Sequence, residues 1–284
     1  FSQELLTEYE LEDASILFAA ALIVLPLLPQ NAIDPWGALK PFAIWKVVVI
    51  IMCTGMLGHL AIRLKGLEWG LPIASLLSGL ISSTAVIMDL GHKAKQDATM
   101  TGVACASALL STLSSLVLFA LVLMASSMSL FQSVALPLLG GGLSLLLTAI
   151  VLFRNNQLPS NFVLTHSQRA FQLKHVLMIA FSISSISLAS TWIGSVYGKA
   201  GTFISAVIIG FAEIHAAAVG ISQLASSEGA VPTLARWGVL GILMASVVSK
   251  SALSYISGGH NYGLKMMTAL MLFVMVVGFG IALT

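Results

Sequence analysis

Nine stretches of this chain, residues 14–28, 41–64, 71–91, 100–125, 131–153, 171–197, 202–225, 233–256 and 262–283, are almost unbroken runs of apolar residues. A bilayer core about 30 Å thick takes roughly 20 residues of α-helix to cross, and lipid offers no hydrogen-bond partner to an exposed backbone group. Runs of this length constrain the chain more than any motif, and each reads as a transmembrane helix. The first is short and ends at Pro26 and Pro29, which suits a tilted or half-inserted segment. Strands of an outer-membrane barrel would alternate apolar and polar residues over about ten positions, and these runs do not alternate. The expected fold is all-α, a polytopic transmembrane bundle of about nine spans. Composition agrees: 58% of residues are hydrophobic, only 8% are charged, and mean hydropathy is +0.99. A soluble domain carries about 25% charged residues.

The rest of the composition removes function classes. A net charge of +2 gives no reason to expect a nucleic-acid partner. Cys53 and Cys105 both lie in apolar runs and read as small buried hydrophobes, without a disulfide framework or metal-ligand spacing. No nucleotide-binding loop, zinc-protease motif or nucleophile elbow occurs, so neither enzyme nor cofactor is expected. The 12 Met residues are scattered through apolar spans and read as lipid- or core-facing, and Gly140-Gly141-Gly142 reads as close helix packing. Phe1 is not an initiator Met, and no basic segment precedes an apolar one. No signal peptide is expected, and residues upstream of Phe1 are.

Five of the 11 acidic residues (Glu4, Glu8, Glu10, Glu12, Asp13) precede the first span. Counting Lys and Arg by loop gives Lys40, Lys46, Lys93, Lys95, Arg154, Arg169, Lys174 and Arg236 on one side, against Arg63, Lys65, Lys199 and Lys265 on the other. The positive-inside rule then makes the first group cytoplasmic. The longest polar connection, Arg154 to Arg169, reads as a joint between halves 1–153 and 154–284. Those halves share an internal repeat. Gly70-Leu-Pro-Ile-Ala-Ser-Leu-Leu-Ser-Gly79 aligns without a gap on Gly201-Thr-Phe-Ile-Ser-Ala-Val-Ile-Ile-Gly210, with Gly70, Ile73, Gly79 and Ala85 recurring 131 positions later. Leu110-Ser111-x-x-Ser114-Ser115 can be laid on Ala245-Ser246-x-x-Ser249-Lys250. Duplicated helical halves are usual in secondary transporters, with the site at the repeat interface. Nine spans would make the repeats parallel; one miscounted span would make them inverted.

An ionisable group in a bilayer core costs at least about 2.5–3.5 kcal/mol and normally faces protein or a water-filled cavity. Glu213 and His215, in mid-span, are therefore the leading candidates for handling a proton or cation. Two residues apart, they would not share a face of a regular helix, but Gly210 and Gly220 permit a distorted segment. The competing reading pairs Glu213 with Lys250, also mid-span, to fix helix packing. The alternative role for Lys250 is to bind an anion, and both roles stay open. Ser82, Ser83 and Thr84 occupy the repeat-equivalent place, either as ligands of a substrate or ion or as helix-packing hydroxyls. Asp89, with His92 at the end of the third span, reads as a solvated helix end or the guard of a cytoplasmic entrance. Lys46 and Lys174 lie one turn into their spans and can snorkel. Whether any metal binds is left unknown.

At Gly79-Leu-Ile-Ser-Ser-Thr-Ala85 and Gly210-Phe-Ala-Glu-Ile-His-Ala-Ala-Ala218 the chain resembles the C-terminal membrane domain, of unknown function, of MgtC/SapB-type bacterial inner-membrane proteins. Leu6-Thr7-Glu8-Tyr9-Glu10, Pro26-Leu-Leu-Pro29, Lys40-Pro41 and Ser249-Lys250 fit the same resemblance, which covers nearly the whole chain. The family pattern has an acidic-x-acidic pair where this chain has Glu213-Ile-His215, and an Arg where it has Ser111 to Ser115, so no ion preference carries over. The MgtC-like N-terminal domain is not among these residues. The resemblance implies a transport-type protein without naming a substrate. The expected function is a secondary transporter or ion-coupled permease of the bacterial inner membrane, acting on a small solute or ion between the third and seventh spans. The alternative is a non-transporting regulatory or assembly subunit, and homo-oligomerisation is left open. Single cysteines at Lys93, Lys95 and Arg154 should resist membrane-impermeant labelling from outside intact cells; their modification would reverse the orientation.

Overall fold

The computed structural model describes residues 8–34, 39–65, 70–156, 173–225 and 233–283, and every regular element among them is helical. The opening motif before Glu8 and most of the Arg154-to-Arg169 connection lie outside the described residues. α1 (Glu8–Phe18) continues through a π-helical stretch, Ala19–Val24, and a last turn, Leu25–Leu27. Then come α2 (Pro41–Lys65), α3 (Gly70–Gln96), α4 (Thr101–Ser126), α5 (Met128–Arg154), α6 (Leu173–Gly210), α7 (Ile214–Ala225) and α8 (Thr233–Leu283). Among the described residues, three helical segments are long and apolar enough to cross a membrane by length and composition: Ala98–Ser126, Met128–Arg154 and Thr233–Leu283.

The punctuation is local chemistry. The Asp97 carboxylate accepts the Thr99 N–H at 2.9 Å and opens the turn that leads into α4. The Thr99 hydroxyl and N–H together hold that carboxyl below its ordinary range. Ser127 is extended between α4 and α5, and its Oγ accepts the Leu130 N–H at 3.3 Å as the cap of α5. Two other boundaries rest on glycine. At 51 residues α8 would be roughly 75 Å long if straight, far more than a bilayer core. It breaks at Gly259, whose φ of +73° is a conformation essentially reserved for glycine. A Cβ at Gly263 would meet the Tyr255 ring at 2.5 to 2.8 Å, so residues eight apart are in contact and the chain has folded back. Gly198, with φ +66°, does the same for α6: a Cβ at Gly201 would lie 2.8 Å from the Ile193 carbonyl oxygen.

α4 is the central helix, with Val103 to Ala106, Leu109, Phe119, Val122 and Leu123 fully buried. α3, α5, α7 and α8 pack around it. α5 and the limb 260–283 run antiparallel as neighbours, because Gly280 sits on Pro137 while Gly141 sits on Val277 and Phe273. On its other side α5 exposes Leu136, Leu139, Leu143 and Leu147, a stripe at helical spacing. In water such a stripe would be an aggregation hazard; against acyl chains it is the expected surface.

The contacts also separate the two ends of the bundle. Lys46 Nζ donates to the Ala125 carbonyl oxygen at 3.3 Å, beside the Ser127 turn. At the other end of α4, Cys105 Sγ lies 3.7 Å from the Tyr262 carbonyl oxygen, and Tyr262 Oη donates to the Ile87 carbonyl oxygen at 3.0 Å. Gly91 there abuts Ser257 and Gly258. Lys46 thus lies at the opposite end of α4 from Lys93 and Lys95, although the loop count groups all three. Between them α3 is not one straight helix: Ser82 is extended (φ −163°, ψ 102°) and divides it into limbs 70–81 and 83–96.

Gly79 and Gly210, just before the two interruptions of the chain, both make backbone-to-backbone approaches. A Cβ at Gly79 would fall on the Ser111 backbone, 2.6 Å from its Cα, and one at Gly210 would lie 3.0 Å from the Ile242 Cα. Neither neighbour is a side chain that can rotate away. Gly79→Ala should therefore lower stability by about 1–3 kcal/mol, and Gly210→Ala by less. Thermal unfolding of the two variants in detergent checks this; equal melting temperatures for Gly79→Ala and the parent protein would contradict the packing.

Candidate functional site

Two helices stop inside the bundle and restart within a few residues. In α3 the interruption is Ser82, whose Oγ accepts the Ala85 N–H at 3.3 Å and caps the limb 83–96. Between α6 and α7 it is Phe211, Ala212 and Glu213. Glu213 caps α7: its Oε1 accepts the His215 N–H at 3.1 Å and lies 2.5 Å from His215 Nδ1. The two capping residues are 131 positions apart, the offset of the aligned Gly79 and Gly210. Helix N-termini carry unpaired N–H groups and a partial positive charge, and oxygen from Ser and Glu meets that need.

The capping geometry answers the objection that Glu213 and His215 cannot share a helix face. Glu213 lies outside the helix, at its cap position, so its side chain turns back on the first turn and reaches the ring. The contact forms because the helix is broken. With Nδ1–H directed at the carboxylate, the neutral tautomer of His215 leaves its Nε2 as an acceptor. That Nε2 is buried and has no hydrogen-bond partner among the described residues.

Both interruptions open on one cavity of about 260 Å³. It is lined by Gly79, Ser82, Ser83 and Thr84 from α3 and by Gly210 to His215 from the other break. Ser115 of α4 and Ser246, Ser249 and Lys250 of α8 complete the polar part. Six of the seven sequence candidates therefore meet: Ser82, Ser83, Thr84, Glu213, His215 and Lys250. Asp89 does not join them. It pairs with Lys93 at 2.8 Å, one helical turn on, near the end of α3.

Lys250 is only 7% exposed. Its ammonium feels the Glu213 charge, yet among the described residues it forms no hydrogen bond or close ion pair; the short contact of Glu213 is with His215. Ser115, Ser246 and Ser249 are lining residues that the reading of charges overlooked. Their signal was available: Ser246, Ser249 and Lys250 are spaced three and four apart, hence on one helix face. Ser114 Oγ donates to the Leu76 carbonyl oxygen at 2.6 Å and ties α4 to the first limb of α3. No group of three or more His, Cys, Asp or Glu side chains able to hold a metal occurs among the described residues.

Residues 49–258 match the family model described as Domain of unknown function (DUF4010). That stretch contains both helix breaks and every residue of the polar cavity. No curated protein and no solved structure matches the chain.

The cap has a measurable signature. Glu213→Gln keeps an oxygen that can accept the His215 N–H, whereas Glu213→Ala removes it. Glu213→Ala should melt at a lower temperature than Glu213→Gln by an amount reflecting about 1 kcal/mol. Equal melting of the two would remove Glu213 from the capping role.

Proposed function

The chain belongs to the DUF4010 family, whose description leaves the activity open, and from the geometry of its broken helices we propose a secondary transporter or ion-coupled permease of the bacterial inner membrane. One observation carries the reading. Two helix interruptions meet at a single polar cavity that holds an acid, a histidine and a lysine inside an otherwise apolar bundle. In lipid, non-helical backbone is tolerated where it is enclosed by protein or lines a water-filled cavity, and paired discontinuous helices are the usual binding device of such transporters. The MgtC/SapB-type relationship is part of the same proposal, supported by Gly79 to Ala85 and Gly210 to Ala218.

The reading takes the bundle as nine segments in two repeats of opposite sense. Its support is the recurrence of contacts at one offset. Gly79 meets Ser111 and Gly210 meets Ile242, pairs 131 positions apart. The Ser127 turn and the Gly259 turn are nearly the same distance apart and lie at opposite ends of α4. α5 and 260–283 are repeat counterparts, and they run antiparallel. A parallel repeat would not produce that; a repeat inverted through the membrane plane does.

Inversion requires that the third and seventh segments enter and leave at the same end. For the third, Lys46 fixes the start of α2 at the Ala125 end, and α2 is one unbroken helix of 25 residues. α3 finishes near the Gly259 turn, where Gly91 abuts Ser257 and Gly258, and the reading takes its start to lie at the same end. For the seventh, a Cβ at Gly238 would touch both Ile221 of α7 and Phe203 of α6, so both limbs share a level near the start of α8. Two half-membrane hairpins then meet tip to tip at the cavity. The end bearing Lys93, Lys95 and Arg154 is taken as cytoplasmic. Alternating access is movement of one repeat against the other around this site.

Glu213→Gln preserves shape and capping but abolishes ionisation. In proteoliposomes it should remain inserted while losing gradient-driven solute flux. Retained flux would remove Glu213 from the mechanism. Lost stability rescued by Lys250→Met would assign the pair a structural role and favour the regulatory subunit.

A further inference from the structure

The cavity has three ionisable groups, and their arrangement states which solute suits it. Glu213 spends its carboxylate on its own helix, through the His215 N–H and Nδ1. Lys250, 7% exposed, faces the cavity with no acceptor among the described residues. α3 and α4 bring no titratable group to the cavity; they bring the hydroxyls of Ser82, Ser83, Thr84 and Ser115. The limb 83–96 and the 12-residue α7 both start at its wall, and helix N-termini favour negative charge. The site therefore offers an ammonium and hydroxyl donors, while one carboxylate oxygen, Glu213 Oε1, is engaged by its own helix. A cation would meet the Lys250 ammonium at the wall of the cavity. An anion with several acceptor oxygens satisfies every group.

Charge balance then fixes the companion ion. With His215 neutral, Glu213 and Lys250 cancel. A monovalent anion would leave one uncompensated negative charge in a low-dielectric site, which is costly. His215 Nε2, buried and unpartnered, has a lone pair for one proton. Once protonated, it becomes a donor to the anion while Nδ1–H stays on Glu213, and the site is neutral again. We infer that the cavity takes a small monovalent carboxylate or oxyanion together with one proton, bound by Lys250 and the hydroxyls of the cavity wall and protonated at His215 Nε2. The volume of about 260 Å³ falls just below the range of drug-sized pockets and suits a small solute. This inference rests on the transporter reading only for its consequence, that the anion and the proton cross together.

Binding tests it without transport. Purified protein in detergent is titrated calorimetrically with sodium acetate, sodium sulfate and sodium phosphate, and with the chlorides of sodium, potassium and magnesium as the cation arm. At least one oxyanion should bind saturably, with uptake of a proton seen as a heat that depends on buffer ionisation. Lys250→Met should weaken that binding by about tenfold or more, and Lys250→Arg should retain more of it. His215→Gln should bind without proton uptake. Lys250→Met leaves Glu213 without its balancing charge, so its melting temperature is measured alongside and the charge-keeping Lys250→Arg serves as the folded control. Saturable binding confined to the metal chlorides, no binding of any of the three anions, or anion binding unchanged in Lys250→Met would overturn the proposal. Anion binding without flux in proteoliposomes would remove the transporter and leave the site. Flux of a metal cation without anion binding would do the reverse.

Discussion

A helix that stops inside a bilayer strands N–H and C=O groups where neither water nor lipid can pair with them. The rest of this molecule depends on how that problem is solved twice. Ser82 supplies a hydroxyl to the helix that restarts after it, and Glu213 supplies a carboxylate to the helix that restarts after it. Each solution needs a close neighbour. Gly79 and Gly210 let the broken segments approach the backbones of α4 and α8, where any Cβ would intrude. Ser114 adds a direct bond to Leu76. The polar cavity follows from these choices, because two capped helix ends and their hydroxyls face the same space.

Electrostatics inside that space is a second layer. Glu213 and His215 make contact only because the chain is not helical at Glu213. This leaves Lys250 as a nearly buried ammonium without a close counter-ion among the described residues, and leaves His215 Nε2 unpartnered. Groups so exposed to a low dielectric are costly for a purely structural role.

Much of the helical content was legible because lipid imposes a simple rule. Continuous apolar runs marked α4, α5 and both limbs of α8 to within a few residues, and the paired glycines Gly258 and Gly259 fell in the gap between two runs. The path of α3 was not legible. Its run is as apolar as the others, Ser82 is extended in a way any residue can be, and no Pro marks the break. Only the alignment with the segment around Glu213 hinted at it. The loop count placed Lys46 with Lys93, and the bond from Lys46 to Ala125 puts them at opposite ends of α4. At the site, the residues that bring charge were found from their cost in a membrane, whereas Ser115, Ser246 and Ser249 carry no such penalty and were passed over. Asp89 was read as a solvated helix end or the guard of an entrance, and one turn of helix pairs it with Lys93.

The central claim is that the two interrupted helices meet at one cavity within the membrane-embedded chain. Cysteines replacing Ser82 and Ala212, in a chain whose Cys53 and Cys105 have been replaced by Ala, test it directly in native membranes with a short bis-maleimide reagent. The account predicts an intramolecular cross-link between these positions and none when Ala212→Cys is exchanged for Arg154→Cys. Efficient labelling of each single cysteine without any cross-link between Ser82→Cys and Ala212→Cys would contradict it.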